Sequence, residues 1–159
     1  MANANDVAAY ILDRKGPMSA MKLQKLVYYS QAWHLVWAED RLFPESIEAW
    51  ANGPVVREVF NGHRGRFTVT PPWKSGDASA LQPYERGTVD AVLDTYGELS
   101  GRTLSTLTHD EDPWREARRG LAPTDRSATA IDLDTMQEFY SALDLDDEAV
   151  AIRDLEKGD

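Results

Sequence analysis

The strongest pattern of hydrophobic positions in the chain begins just after Ser19 and runs to Trp37. Apolar and aromatic residues recur there at three- and four-residue spacing, which indicates a helix, and Ser19 is a suitable N-cap. Few polar residues interrupt the second half of the stretch, a feature typical of a helix that is buried on most sides. The pattern therefore predicts a central helix over about residues 19–38, and we expect its early lysines, Lys22 and Lys25, to reach solvent.

Weaker helical periodicity recurs before and after this stretch, with capping residues and glycines near the segment ends. Asn5 and Asp6 are suitable caps for a first helix that Gly16 ends, and Gly101 is expected to end a later one. The additional helices are predicted at about residues 5–16, 54–62, 84–101, 104–109, 112–119 and 134–143. Packing these segments around the central helix gives a compact, mainly α, single-domain fold.

Two short segments alternate in the manner of strands. The first is Ile47–Ala51 and the second is Phe67–Thr70, and we expect them to pair as a minor β-hairpin. Between them, Gly53-Pro54 suits a turn followed by the first position of a helix, where the missing backbone donor of proline is not needed. Three tryptophans on apolar faces are expected to be largely buried: Trp33, Trp50 and Trp114.

Composition and charge narrow the classes of protein that the chain can represent. Its 159 residues suit one domain, and the net charge of −10 argues against generic nucleic-acid binding, which needs clustered basic residues. The nearest approach to a basic patch is the set Arg57, His63, Arg64 and Arg66. The absence of cysteine excludes disulfides and thiolate metal sites and fits a reducing cytoplasm. No segment has the length and apolarity of a membrane span, and the polar N-terminus does not resemble a signal peptide.

The acidic charge is concentrated at the C-terminus. Residues 144–159 contain seven acidic and two basic residues, a net of −5, which is half the charge of the chain. A weak amphipathic pattern in this segment allows a short helix. We therefore assign the domain to residues 1–143 and treat residues 144–159 as an acidic tail.

No established catalytic or metal-binding motif occurs in the sequence. The stretch from His109 to Asp112 is the most metal-like, but its spacing matches no hard-cation loop, and a helix end followed by an N-cap is the favoured interpretation. His34 is interpreted as a core histidine beside aromatic residues. We expect no metal and no organic cofactor, although a small pocket near His34, Glu48 and His109 would indicate an enzyme.

Several short motifs occur in an order that resembles one protein family. The first is Lys22-Leu-Gln-Lys-Leu-Val-Tyr-Tyr29, followed by Gln31-Ala-Trp33, and the second group is Ile47-Glu-Ala-Trp50 with Gly53-Pro-Val55. Leu104, His109, Pro113-Trp114 and Phe139-Tyr140 continue the pattern. In this order they resemble the SocA-like, or Panacea, antitoxin domain, a phage-associated family. The residues that carry the likeness are Lys22, Leu23, Gln24, Lys25, Leu26, Tyr28, Tyr29, Trp33, Glu48, Ala49, Trp50, Gly53, Pro54, Val55, His109, Pro113 and Trp114.

The resemblance implies a mainly helical bacterial or phage domain without enzymatic activity. Such an antitoxin binds and neutralises a protein toxin, usually the product of the adjacent gene, and presentation of the toxin to a protease is a second mechanism. A regulatory module without a toxin remains an alternative. Apolar residues in the irregular loop of residues 63–83 and in the tail are candidates for contact with the partner: Trp73, Leu81, Leu145 and Ile152.

Overall fold

The computed structural model of the protein describes residues 1–157, and its first two helices pack against each other. Helix α1 spans Ala4–Lys15, and its cap is Asn3, whose side chain accepts from the backbone N–H of Asp6 while the Asp6 carboxylate accepts in return from Asn3. The cap therefore lies two residues before the expected one, because this reciprocal arrangement satisfies two free N–H groups. Gly16 ends the helix as predicted.

The central helix is confirmed. Helix α2 spans Ala20–Ala38, and the Ser19 hydroxyl accepts from the backbone N–H of Lys22. Every residue from Leu23 to Leu35 is buried, so this helix is the axis of the core. The last turn of the helix is less buried, since Trp37 remains 44% exposed and stacks on the buried Trp33.

Helices from the second half of the chain surround α2. Helix α4 spans Pro83–Tyr96, α5 Gly101–His109 and α7 Leu133–Ala142, and all three pack directly on α2. Gly101 begins α5 instead of ending α4, because the Ser100 hydroxyl caps the new helix at the backbone N–H of Thr103. The shorter helices are α3, Arg57–His63, and α6, Asp112–Ala117, together with a 3-10 turn at Ala78–Ala80.

The fold contains two small antiparallel sheets, and their pairing differs from the predicted hairpin. Strand β1, Met18–Ser19, pairs with β4, Thr68–Val69, while β2, Glu48–Trp50, pairs with β3, Gly53–Val55. The tight turn between β2 and β3 lets these two strands pair with each other, whereas the later segment, β4, pairs with β1 at the start of α2. Pro54 consequently lies in an edge strand, where its missing donor is tolerated, and not at a helix start.

The acidic tail is part of the packed structure. Helix α8 spans Leu145–Lys157 and lies against α5. It buries Glu148 completely and leaves Ile152 only 7% exposed, while Leu145 is half-buried. The amphipathic pattern correctly indicated a helix, but Ile152 belongs to the core and is not available as a surface anchor.

The irregular loop before α4 also contributes to the core. Trp73 is 7% exposed and its indole N–H donates to the Asn5 side chain at 2.9 Å, while Leu81 is 2% exposed. Neither residue presents the accessible apolar surface that the sequence interpretation assigned to it. None of the helices in the described part of the chain has the length and hydropathy needed to cross a membrane.

Candidate functional site

The glutamine of the central motif holds the start of α3. The Gln24 side chain is buried, accepts from the backbone N–H of Val56 at 2.9 Å and donates to the carbonyl oxygen of the same residue at 3.2 Å. Its amide also lies 3.0 Å from the ring Nε2 of His63 at the other end of α3. A primary amide can offer donor and acceptor at once, so Gln24 supplies the acceptor for the Val56 N–H and shares the Val56 carbonyl oxygen with the backbone N–H groups of α3.

The motif lysine lies beneath the β2–β3 hairpin. Lys25 is only 2% exposed and donates to the Pro54 carbonyl oxygen at 3.2 Å, so the expectation that it reaches solvent is wrong, whereas Lys22 is half-buried. Burial lowers the pKa of Lys25 to about 7. Gly53, with a φ of 120°, makes room for it, since a Cβ there would collide with Lys25 Cε.

Next to this lysine lies the motif pair His109 and Trp114. The two rings stack with centroids 4.0 Å apart, and burial, followed by the charge of Lys25, lowers the pKa of His109. Its buried Nε2 has no hydrogen-bond partner among the described residues. The indole N–H of Trp114 donates to the Trp50 carbonyl oxygen at 2.9 Å, so this pair supports the hairpin from below.

A buried arginine joins the hairpin to the loop of residues 120–130. The Arg118 guanidinium donates to the Ala49 carbonyl oxygen at 3.0 Å and to those of Ala122 and Asp125 at 3.1 and 2.8 Å. Farther along, the backbone N–H of Ala49 donates to the Thr129 carbonyl oxygen. The loop therefore lies along the free edge of β2 in a fixed position.

Above this support, one ion pair shapes the exposed side of the hairpin. Glu48 accepts from both the indole of Trp50 at 2.8 Å and the guanidinium of Arg57 at 2.9 and 3.3 Å. Burial alone would raise the pKa of Glu48, but these hydrogen bonds outweigh it and leave the pKa below its usual value. The Arg57 guanidinium also lies 5.4 Å from the Trp50 ring centroid. Glu48 is thus the ion-pair partner of Arg57.

A cleft of about 700 Å³ opens between the hairpin, α3 and the 120–130 loop. Its volume lies in the range of sites that take a small molecule or a short peptide segment. Apolar side chains and arginines share its lining: Trp50, Val55, Phe60, Arg57, Arg64 and Arg126. We call this the arginine cleft.

The arginine cleft has a charge opposite to that of the protein. Its three arginines, offset by the glutamate that binds Arg57, give a local net charge of +2, against −10 for the whole chain. Arg64 and Arg126 are exposed, and within the described part of the chain neither forms an ion pair. Arg64 lies 5.0 Å from the ring centroid of Phe60. The basic patch that the sequence indicated is therefore only partly confirmed, because its member His63 is buried.

A second polar cluster, the acid–tyrosine cluster, lies inside the core. Glu111 accepts from the hydroxyls of Tyr29 and Tyr140 at 2.6 and 2.8 Å, and Glu148 accepts from Tyr96 at 2.7 Å. Burial and the proximity of the two carboxyls raise the pKa of Glu111 well above its usual value, and burial raises that of Glu148. The cluster is too enclosed to receive a partner, and we interpret it as the anchor of α8.

The three residues considered for an enzyme pocket lie in separate environments. His34 is buried, lies 2.8 Å from the Thr88 hydroxyl and has its pKa lowered by burial. Glu48 pairs with Arg57 of the arginine cleft, and His109 stacks on Trp114 beneath the hairpin. In residues 1–157 no group of three or more histidine, aspartate or glutamate side chains is arranged to hold a metal ion.

Most of the motif residues support the fold instead of facing solvent. Trp33 is 1% exposed, whereas Trp50 and Trp114 are only half-buried, because both border the hairpin. The other motif residues with little exposure are Leu23, Leu26, Tyr28, Tyr29, Ala49, Pro54, Val55 and Pro113.

Sequence reasoning missed Phe60 and Arg126 as cleft residues and Arg118 as its support. Phe60 falls within the helix predicted at about residues 54–62, and Arg126 follows no periodic pattern that could identify it. Arg118 falls at the end of the helix predicted at about residues 112–119.

The family model described as the antitoxin SocA-like, Panacea domain matches residues 23–115, which covers more than half of the chain. No curated protein and no solved structure matches. The match includes α2, the hairpin and Glu111, but it ends before the 120–130 loop, α7 and α8.

Proposed function

Because the chain belongs to the SocA-like Panacea antitoxin family, we propose that it is an antitoxin that neutralises a cognate toxin by direct protein–protein binding. The family match is the observation that carries this proposal. The toxin is the product of the adjacent gene, and the pair acts in the cytoplasm. The protein is assigned a binding role and no catalytic one, in keeping with the separate environments of His34, Glu48 and His109.

The surface of the protein supports an interaction role in two ways. A net charge of −10 speeds encounter with a basic toxin, although long-range charge contributes more to the association rate than to affinity. Affinity depends on a few well-placed contacts, and tryptophan and arginine are the residues most often responsible for them. The arginine cleft presents both types beside the family motif.

Proteolytic delivery is the second mechanism that the family suggests. In that case the antitoxin shortens the lifetime of the toxin in addition to blocking it. The two mechanisms differ in one measurable quantity, because a sequestered toxin persists in the complex at constant amount. Toxin levels after inhibition of protein synthesis, followed with and without the antitoxin, distinguish them.

The test of the proposed function is co-expression with the adjacent open reading frame. We expect the neighbouring product to arrest growth when expressed alone, growth to recover with the antitoxin, and the two proteins to co-purify in a fixed ratio. A neighbouring product that is harmless alone and does not bind would refute the proposal and favour a regulatory module without a toxin.

A further inference from the structure

The arginine cleft combines an apolar interior with positive charge in a protein that is otherwise acidic. Trp50, Val55 and Phe60 supply the apolar surface, while Arg64 and Arg126 supply charge that no carboxylate in the described chain neutralises. Arg57 is different, because Glu48 already pairs with it at 2.9 Å. The cleft therefore offers two arginines to an outside ligand and holds the third as part of its structure.

The surrounding charge restricts what can bind there. A chain of −10 repels an acidic molecule at a distance, but this repulsion is screened over roughly 8 Å at physiological salt. Attraction by Arg64 and Arg126 acts at contact distance, where arginine–carboxylate pairs are bidentate and strong. A ligand of the cleft must consequently bring its negative groups directly to the two guanidiniums.

The aromatic rings favour an inserted side chain over a stacked base. One face of Trp50 is covered by Arg57 and one face of Phe60 by Arg64, with centroid distances of 5.4 and 5.0 Å. The two rings also meet edge to face, with centroids 4.9 Å apart. These contacts reduce the ring face that is open to a stacked nucleobase, whereas an apolar side chain can also pack against the ring edges.

From these observations we propose that the arginine cleft is the part of the toxin interface that binds an acidic peptide segment, with an apolar or aromatic side chain of that segment packed against the free edges of Trp50 and Phe60. This inference rests on the proposed function for the identity of the partner. The complex then has two opposite electrostatic contacts. The acidic surface attracts a basic toxin, and the cleft fixes its orientation through an acidic segment.

The first arm of the test uses the toxin encoded by the adjacent gene. Arg64→Glu and Arg126→Glu each reverse one unpaired charge at an exposed position, so the fold is expected to remain stable. We expect each change to raise the Kd for the toxin about tenfold or more. Arg102→Glu, an equal charge change on exposed α5 surface outside the cleft lining, is expected to leave the Kd within about twofold. Melting curves of all three variants check the fold.

The second arm uses defined probes and does not need the toxin. The capped peptides Asp-Glu-Phe-Glu-Asp and Lys-Lys-Phe-Lys-Lys, and ATP, are titrated into isotopically labelled protein while the indole signal of Trp50 is followed, assigned with Trp50→Phe. We expect the acidic peptide alone to shift this signal, and Arg64→Glu to abolish the shift. A stronger response to ATP, or none to the acidic peptide, would overturn the inference.

The two arms separate failure of this inference from failure of the proposed function. If the wild type binds the toxin and the cleft variants bind it as tightly as Arg102→Glu, the cleft inference is wrong and the antitoxin assignment stands. If the wild type binds no neighbouring product, the proposed function fails, and the peptide titrations alone decide the chemistry of the cleft.

Discussion

Replacing Lys25 by methionine should change the dependence of stability on pH in a way that identifies the buried amine. The lysine is 2% exposed and has one hydrogen-bond acceptor, the Pro54 carbonyl oxygen. Burial lowers its pKa from 10.5 in the unfolded chain to about 7 in the folded protein. Methionine has a similar unbranched shape and no charge, so it fills the same space without a proton to lose.

The sign and size of the effect follow from the two pKa values. The folded protein binds fewer protons than the unfolded chain between pH 7 and 10.5, so this group lowers stability as the pH falls through that window. The penalty is about 4 kcal/mol at pH 7 and about 1.5 kcal/mol at pH 9.5, with each pKa unit counting about 1.4 kcal/mol. Lys25→Met removes this penalty but leaves a buried carbonyl unpaired, which costs about 1–3 kcal/mol.

We therefore expect Lys25→Met to be more stable than the wild type at pH 7 by about 1–3 kcal/mol, and to lose that advantage at pH 9.5. The assay is urea unfolding followed by tryptophan fluorescence at both pH values. The informative quantity is the variant-minus-wild-type free energy, which should change by about 3 kcal/mol between them.

Taking this difference cancels the titrating groups that do not interact with Lys25. The pKa values of His63 and His109, which burial and the charge of Lys25 lower, lie below the pH range compared. Lys22→Met, at a half-exposed lysine on the same helix, is the matched control. Burial lowers the pKa of Lys22 too, but this side chain reaches solvent, so its variant-minus-wild-type free energy should change with pH by less than that of Lys25→Met. A difference for Lys25→Met that does not vary with pH would refute the assignment of a buried, weakly basic amine.

Four further predictions concern the core and the tail. Because the pKa values of Glu111 and Glu148 are raised, the stability of the acid–tyrosine cluster is fully present below about pH 4.5 and is lost as the pH rises through the folded-state values, so Glu148→Gln should flatten the fall of melting temperature as the pH rises from about 4.5. Melting temperatures of the variant and the wild type that fall in parallel over this range would contradict this. Trp33→Ala should cost about 3–5 kcal/mol in urea unfolding, and an unchanged midpoint would show that α2 is not the axis of the core. Removal of residues 144–159 should lower the melting temperature, because it removes the acceptor of the Tyr96 hydroxyl and exposes the surface that Ile152 covers. A truncated protein as stable as the full chain would disprove that packing. Gly53→Ala should destabilise the fold by more than about 1 kcal/mol in the same unfolding assay, because of the positive φ at this position and the collision of the new Cβ with Lys25. Gly120→Ala is the control: its φ is also positive but the space around it is open, so it should destabilise the fold less.

The sequence predicted the elements whose signals are local. The central helix, its Ser19 cap, the end of α1 at Gly16 and the helical nature of the tail are all confirmed. Each depends on periodicity or on a cap within a few residues, and such signals are present in any window of the sequence. The predicted family and the mainly α fold are also confirmed.

The predictions that were wrong concern features that depend on contacts between distant parts of the chain. Strand Thr68–Val69 pairs with the entrance of α2 and not with the hairpin, and periodicity carries no information on which partner a strand finds. Lys25 was expected in solvent because lysine usually is, yet the space beside Gly53 admits it. Trp73 and Leu81 lie in an irregular segment, and burial there has no periodic signal. The arginine cleft combines side chains from α3, the hairpin and a loop some sixty residues later.

Arg118 has a consequence for the thermodynamics of binding in the cleft. One guanidinium holds carbonyl oxygens of both the hairpin and the 120–130 loop, so the two walls cannot separate without breaking its bonds together. A cleft whose walls are already ordered loses little conformational entropy when a ligand enters, and a larger share of the contact energy remains as affinity. Amide hydrogen exchange should report this coupling, because Ala49 and Ile131 are tied into one opening unit. Weakening Arg118 would then speed the exchange of both amides alike and make occupancy of the cleft entropically expensive, without altering any atom that touches the ligand.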